Sequence, residues 1–280
     1  MELSALKIAK VFAPAKINLT LHVTGQRNDG FHLLDSLVVF ADVGDRISVR
    51  LAAANKLDVT GPKAAGVPTD GSNLVCKAAD LFGLPVHITL SKHLPNAAGI
   101  GGGSSDAAAT LLALAELSED SRLPDVSELG ADVRVCLMRQ AARMRGIGET
   151  VDHVADLPPL FAVLANPGVD VPTPDVFNAL TDKANAPMPK KLPRWKTTKA
   201  LIEWLATQRN DLEAPAIACA PEIANTLQSL RALPAAKLTR MSGSGATCFA
   251  LFETQDEAKK AAAALQNCQP DWWVVPCHFS

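Results

Sequence analysis

The chain has 280 residues, 48% hydrophobic and 20% charged. That is the make-up of a globular protein with enough apolar material for one large or two ordinary domains. A formal net charge of −2 and a pI near 6.3 argue against nucleic acid or an anionic membrane surface as the main partner. The longest apolar run, Ala107–Leu114 with Thr110 inside it, is far short of the roughly 20 residues that span a bilayer. Residues 1–12 carry Lys7 and Lys10 and no apolar h-region, so no membrane helix and no secretory signal are expected.

From Lys16 to Val23 apolar and polar residues alternate: Ile17, Leu19, Leu21 and Val23 against Lys16, Asn18, Thr20 and His22. The period of two predicts a half-buried strand with the four polar side chains on one face. Arg27–Gly30 reads as a turn, Phe31–Phe40 as a second strand, and Ile47, Val49 and Leu51 alternate in a third. Asn73 is placed to cap a helix that runs to Phe82 and stops at Gly83, and Val86, Ile88 and Leu90 form a strand.

That strand feeds the stretch LPNAAGIGGGSSDAAATLLALAEL, Leu94–Leu117. Ser104, Ser105 and Asp106 suit a helix N-terminus, and the absence of charge between Asp106 and Glu116 predicts a buried helix behind them. A glycine-rich turn entering a helix aims several unpaired amides, backed by the helix dipole, at one point, which suits phosphate. The dinucleotide fingerprint is absent, because Ser104 and Asp106 stand three residues beyond Gly101 and Gly103, and no Gly-Lys dipeptide of the Walker type occurs. A phosphate cradle of a third kind remains.

Further along, ADVRVCL reads as a short extended segment and ARMRGIGETV as strand and turn. A strand at 161–165, a proline-rich stretch at 166–174 and helical segments to about 232 follow. LTRMSGSGATCFALF reads as strand, Gly/Ser turn, strand; a charged helix over Asp256–Gln266 and a strand over Trp272–Val275 close the chain. The compositional shift near 158–174 divides the chain into domains 1–158 and 159–280. Lys190, Lys191, Arg194 and Lys196 read as a solvated loop. Cys76, Cys136, Cys219, Cys248, Cys268 and Cys277 have no metal-type spacing, most sit in apolar segments, and they are expected to be buried free thiols in a reducing cytoplasm.

Three segments together resemble the motifs of the GHMP family, the small-molecule kinases that include galactokinase, homoserine kinase, mevalonate kinase and phosphomevalonate kinase. They are APAKINLTLHVTGQRNDGFHLLDS, LPNAAGIGGGSSDAAATLLAL and MSGSGATCFALF. DGFHLLDS, SNLVCKAADLF, LGADV, RGIGE, PTPDVFNAL and NDLEAPA extend the likeness over nearly the whole chain. They place it nearest the branch that acts on 4-diphosphocytidyl-2-C-methyl-D-erythritol in the non-mevalonate route to isoprenoids. The resemblance implies a two-domain α+β fold, with a ribosomal S5 domain 2-like N-terminal domain and a ferredoxin-like C-terminal domain, and substrates in a cleft between them. It implies an ATP-dependent cytoplasmic kinase, monomer or homodimer, that works on a small molecule and phosphorylates its 2-hydroxyl.

By the same resemblance Lys16 is the active-site lysine, neutralising charge on the transferring phosphoryl group, and Asp132 is the base that accepts the hydroxyl proton. Relatives commonly read ADVP where this chain has Arg134, Val135 and Cys136. In an extended segment Arg134 would share a face with Asp132 and weaken it as a base, so Arg134 is expected to face away or to contact substrate phosphate. Pro95, Ala98, Gly99, Gly101, Gly102, Gly103, Ser104 and Ser105 would wrap the ATP phosphates, with Asp106 only a helix-terminal residue. Asn73 serves as helix cap or adenine contact. Phe31, His32 and Phe177 match the positions that stack on and hydrogen-bond to cytosine; the usual tyrosine at 31 is Phe here, so stacking survives without the hydroxyl. Asn18, Thr173, Gly243 and Ser244 are the remaining substrate contacts, the last two in the turn of the third motif. Mg²⁺ is expected with ATP, and no protein ligand is assigned to it. The rival readings are another GHMP-type kinase and a non-catalytic nucleotide-binding regulator.

Overall fold

A computed structural model describes residues 7–118 and 122–279; the first six residues of the amino-terminal stretch lie outside the described residues. In chain order the elements are β1 (Ile8–Asn18), β2 (His22–Gln26), β3 (His32–Leu51), β4 (Lys56–Thr60), α1 (Leu74–Phe82), β5 (Val86–Ser91) and α2 (Gly102–Ser118). After a short 3-10 turn at Ser127–Leu129 come α3 (Ala131–Met138), β6 (Ala142–Gly146), β7 (Thr150–His153), β8 (Leu160–Asn166) and α4 (Thr173–Asn178). Then follow α5 (Thr198–Ala206), α6 (Glu213–Cys219), α7 (Glu222–Arg231), β9 (Leu238–Met241), β10 (Cys248–Phe252), α8 (Gln255–Cys268) and β11 (Trp273–Phe279).

The chain divides into two compact units, both discontinuous: one comprises residues 1–15, 44–96 and 101–138, the other 16–43, 97–100 and 139–280. In the first, the end of β3 (Arg46–Leu51) pairs antiparallel with β5, and β5 pairs in parallel with β4. The helices α1 and α3 pack against α2. Ile47, Val49, Ile88, Leu90, Val75, Ala109, Ala113 and Leu114 join in one apolar cluster. Full burial of each leucine there is worth about 1.5–3 kcal/mol. The capping expected of α1 is realised: Asn73 Oδ1 accepts the Val75 amide and Gly83 closes the helix at φ 79.

In the second unit β2, the beginning of β3, β6 and β7 form an antiparallel set, with the expected turn at 27–30 joining β2 to β3. The carboxy-terminal strands are ordered β11-β8-β10-β9, all antiparallel neighbours. With helices between β8 and β9 and between β10 and β11, this is the split βαββαβ arrangement of a ferredoxin-like domain. Ala258, Ala261, Ala262 and Leu265 repeat at helical spacing and bury one face of α8. Thr254 and Glu257 cap that helix reciprocally.

Four expectations change. The strand expected over 16–23 breaks at Leu19–Leu21, because Leu21 leaves the neighbouring strand to exchange hydrogen bonds with Arg209 and Asp211. Its polar face is as buried as its apolar face: Lys16, Asn18, Thr20 and His22 are each 5% exposed or less. The second and third strands are one, β3, since Asp45 does not interrupt the ladder but is buried and accepts the amides of His93 and Leu94. The segment ADVRVCL is helix α3, where packing of Val133, Val135 and Cys136 overrides the strand preference of valine. Of the cysteines, Cys219 and Cys268 are exposed, whereas Cys136, Cys248 and Cys277 are buried; all six are free.

A buried ion pair anchors the segment after α4. Asp35 accepts two bonds of 2.7 Å from the Arg143 guanidinium and one of 2.8 Å from the Met188 amide, while Arg143 also donates to the carbonyls of Met188, Pro189 and Lys190. The carboxylate and the fork are thereby satisfied on nearly every side. Arg143→Met leaves Asp35 buried and unpaired and should cost about 3–5 kcal/mol in chemical denaturation. Arg143→Met combined with Asp35→Leu should recover most of that loss; equal losses in single and double variants would contradict this account.

Candidate active site

The expected site residues fall into two groups, one in each compact unit. In the second unit three segments far apart in sequence meet through hydrogen bonds. The Lys16 amide donates to the Ile100 carbonyl at 2.9 Å, the Asn18 amide to Ser242 Oγ at 3.1 Å, and Ser242 Oγ to the Gly99 carbonyl at 3.0 Å. The Thr247 amide donates to the Ala98 carbonyl. A methyl group on Gly99 would lie 2.6 Å from the Gly245 nitrogen and nearer still to the Ser242 carbonyl; one on Gly243 would lie 2.6 Å from the Gly99 carbonyl. Both residues have positive φ, 70° and 56°, so only glycine allows this approach. Thr173 Oγ1 and Ser244 Oγ are 2.8 Å apart. Lys16, Asn18, Ala98, Gly99, Thr173, Gly243 and Ser244 therefore belong to one hydrogen-bonded assembly.

Most polar atoms of the side chains below it are also matched, His22 Nε2 being without a partner among the described residues. Asn18 Nδ2 donates to Ser36 Oγ at 2.8 Å, and Ser36 Oγ to the Thr20 carbonyl. His22 Nδ1 lies 3.2 Å from the Ala186 carbonyl, and burial, aided by the Arg209 charge, lowers its pKa. The segment NDLE, to which the sequence assigned no role, carries the turn of the third motif. Asn210 Nδ2 gives its two hydrogens to the carbonyls of Met241 and Gly243, at 2.8 and 2.9 Å, and Glu213 accepts the Met241 amide. Arg240 is buried with no ion pair to a carboxylate among the described residues and donates instead to the carbonyls of Leu19, Leu205 and Gln208. Burial lowers its pKa to about 10, against the attraction of Glu213, so it stays charged near neutrality. The signal for this support was the quoted likeness of NDLEAPA; nothing in periodicity pointed to it.

His32 and Phe177 are brought together as a stacked pair, ring centroids 4.8 Å apart and planes inclined by 24°. His32 Nε2 is buried and has no hydrogen-bond partner. Phe31 is 61% exposed and is not part of that stack.

In the first unit α2 begins at Gly102, two residues earlier than Ser104 suggests, so Gly102, Gly103 and Ser104 form its first turn. The Ser105 amide closes on the Gly101 carbonyl at 2.9 Å, and the amides before it have no acceptor further back in the helix. Leu74 Cδ1 lies 3.8 Å from where a Gly103 methyl would be, which sets Asn73 and the start of α1 beside this turn. Asn73 caps α1 through Oδ1, and one hydrogen of its Nδ2 goes to the Pro68 carbonyl. Pro95 follows Leu94 at the exit of β5. Asp132 lies half-buried in the first turn of α3, and α3 packs on α2. Because α3 is helical, Arg134 stands about 200° around from Asp132 and is exposed. The face that an extended segment would have had them share does not form, in keeping with the expectation that Arg134 faces away from Asp132 or contacts substrate phosphate. Asp106 is no helix-end residue either: it is 2% exposed and bonded to Lys92.

Residues 73–156 match the family model described as GHMP kinases N terminal domain, and residues 190–271 match GHMP kinases C terminal. The chain belongs to the GHMP kinases. This GHMP kinase is 59% identical over 266 residues to the 4-diphosphocytidyl-2-C-methyl-D-erythritol kinase of Dinoroseobacter shibae, covering 95% of this chain and 93% of the relative. It is 58% identical over 277 residues to that of Cereibacter sphaeroides, covering 97% and 99%. A crystal structure of 4-(cytidine 5'-diphospho)-2C-methyl-D-erythritol kinase superposes with a TM-score of 0.77 at 36% identity, covering 96% of this chain and 98% of the other. The homoserine kinase of Cytophaga hutchinsonii, at 20% identity and a TM-score of 0.66, shares the fold.

Burial, with a contribution from Lys183, lowers the pKa of His32 below 6.5, so the stacked ring of this GHMP kinase is neutral at pH 7. A lowered histidine pKa favours the fold above the unfolded value, and that contribution is lost as pH falls through the folded value. A proton-NMR titration should therefore find His32 with a midpoint below 6.5, moving up toward that value in Phe177→Ala. A wild-type midpoint above 6.5 would contradict the neutral stack.

Proposed function

We propose that this GHMP kinase transfers the γ-phosphoryl group of ATP to the 2-hydroxyl of 4-diphosphocytidyl-2-C-methyl-D-erythritol and releases ADP. The observation that carries the reading is the hydrogen-bonded convergence of the Lys16, Gly99 and Ser242–Ser244 segments, in a chain whose relatives bear that kinase's name over nearly their full length. Phosphoryl transfer asks little covalent chemistry of a protein, so positioning and charge neutralisation dominate. The amides of Gly101–Ser105 hold the triphosphate, and the absence of β-carbons at the glycines lets the phosphates come close.

Lys16 neutralises charge on the transferring group and on the attacking oxygen. Asp132 takes the hydroxyl proton as that oxygen bonds to the γ-phosphorus and the bond to the β-phosphate oxygen breaks, in line and without a phosphoenzyme. His32 and Phe177 receive the cytosine, the partnerless Nε2 of His32 supplying a hydrogen bond and Phe31 a second ring; Asn18, Thr173, Gly243 and Ser244 contact the rest of the substrate. Asn73 caps α1 and contacts adenine from the start of that helix. Mg²⁺ accompanies ATP and neutralises phosphate charge. Among the described residues no three His, Cys, Asp or Glu side chains gather, which suits an ion held mainly by phosphates and water. The enzyme acts in the cytoplasm as a monomer or homodimer, a setting that suits six free thiols.

The stacked pair favours this acceptor over mevalonate or homoserine, which carry no base. A coupled ADP-release assay should find transfer to the cytidyl alcohol and none to mevalonate or homoserine. Lys16→Met should lose ~10²–10³ in rate and Asp132→Asn ~10²–10⁴. Full rate in Asp132→Asn would reject the base, activity on mevalonate alone would reject the acceptor, and ATP binding without turnover on any alcohol would favour a regulator.

A further inference from the structure

Behind the first turn of α2 lies a group of charges to which the transfer reaction gives no role. Lys92, Asp45 and Asp106 are 4%, 0% and 2% exposed. The Lys92 ammonium donates to Asp45 Oδ2 at 2.5 Å and to Asp106 Oδ2 at 2.9 Å. Asp45 Oδ1 accepts the amides of His93 and Leu94, the residues leading out of β5. One ammonium therefore ties β3, the exit of β5 and the first turns of α2. It also sits directly beneath the glycine turn, because a methyl on Gly102 would be 3.2 Å from Lys92 Nζ. Asp106 Oδ1 and Ser105 Oγ, both buried, have no hydrogen-bond partner among the described residues.

Such an arrangement is costly to bury and is more than a helix anchor needs. A helix N-terminus tolerates a carboxylate well, but a turn that must receive a polyphosphate is harmed by negative charge behind it. Two carboxylates and one ammonium, all ionised, leave that place with a net charge of −1.

We infer that Lys92 is a positioning residue for the phosphate-binding turn: through Asp45 and Asp106 it fixes the first two turns of α2 to the end of β5, and it offsets the negative charge that the two carboxylates would set behind the nucleotide. The inference rests on the reading of Gly101–Ser105 as the turn that binds ATP.

The offset is complete only while one carboxyl keeps its proton. Burial, reinforced by Asp45 and opposed by Lys92, pushes the pKa of Asp106 up to about 7, and the two carboxylates outweigh burial to hold Lys92 above its ordinary value. The charges acting on Asp106 are those of Lys92 and Asp45. On the helices packed against α2, Lys77 and Asp80 of α1 and Arg134 of α3 are exposed and Asp132 is half-buried. Next to Lys92, His93 is within hydrogen-bond distance of Ser91. Below pH 7 the cluster is neutral as a whole; above it a negative charge appears behind the turn and nucleotide binding weakens.

The test is the KM for ATP and for the cytidyl alcohol in wild type, Lys92→Met and Asp106→Asn, each at about pH 6 and about pH 8.5, with melting temperatures alongside. Lys92→Met should raise the ATP KM about tenfold and leave the alcohol KM within about twofold. Wild type should lose ATP affinity about threefold between the two pH values and Asp106→Asn should not. If Lys92→Met does not fold, Lys92→Met with Asp106→Asn, which removes one charge of each sign, takes its place. An unchanged ATP KM on loss of Lys92, or an Asp106→Asn pH profile superimposable on wild type, overturns the inference. A wild type that transfers no phosphate rejects the kinase reading instead, and ATP dissociation constants measured calorimetrically on the same proteins then decide the role of Lys92.

Discussion

The structure depends above all on one backbone contact, the approach of Gly99 to the Ser242–Gly245 turn. No β-carbon fits at either Gly99 or Gly243, and both take a left-handed φ. Two peptide segments 143 residues apart, Gly99 and Ser242, thereby come within hydrogen-bond distance. The end of β1 joins them through the amides of Lys16 and Asn18. The backbone bonds from Lys16 to Ile100 and from Thr247 to Ala98 fix positions without relying on side-chain rotamers, and the Ser242 hydroxyl adds a bond to each neighbouring segment. Each motif of the family is thus held by the other two rather than by its own local structure.

Burial of polar groups follows from this construction. Lys16, Asn18, Thr20, Ser36, Asn210 and Arg240 are all buried, and such groups are tolerated only when their hydrogen bonds are made. Ser36 donates to the Thr20 carbonyl and the Leu37 amide to the Thr20 hydroxyl across the strand break, while Asn210 satisfies carbonyls of the third motif and Arg240 that of Leu19. A satisfied polar layer under a site is stiff, because rotating any one member strands its partners. Asp45, Lys92 and Asp106 form a second buried polar layer beneath the glycine turn, with one carboxylate more than the ammonium.

Much of this was legible in the sequence where local rules act alone. Asn73 and Gly83 bracket α1 by capping chemistry, the charge-free run after Asp106 marks a buried helix, and the family resemblance, not any local pattern, implied the ferredoxin-like layer. The readings that failed are those in which tertiary contacts outvote the local pattern. Alternation over 16–23 was real, but both faces are covered, so the period of two did not separate inside from outside. Valines at 133 and 135 favoured a strand until packing on α2 decided for helix. Lys92 and Asp45 carry no signature at all, since a lysine and an aspartate 47 residues apart declare themselves only once the strands pair. The cut at 158/159 falls between the two family models, which end at 156 and begin at 190, whereas the packing units interleave because 16–43 and 97–100 join the carboxy-terminal part.

Phosphate transfer by Gly99→Ala, measured beside its melting temperature, bears most directly on the central claim. The added methyl would overlap the Ser242 and Gly245 backbone, so the rate should fall by at least about 10² while the fold of both units persists, the site being displaced rather than the core. A variant that transfers phosphate at the wild-type rate and melts at the wild-type temperature would contradict the claim that this contact builds the site.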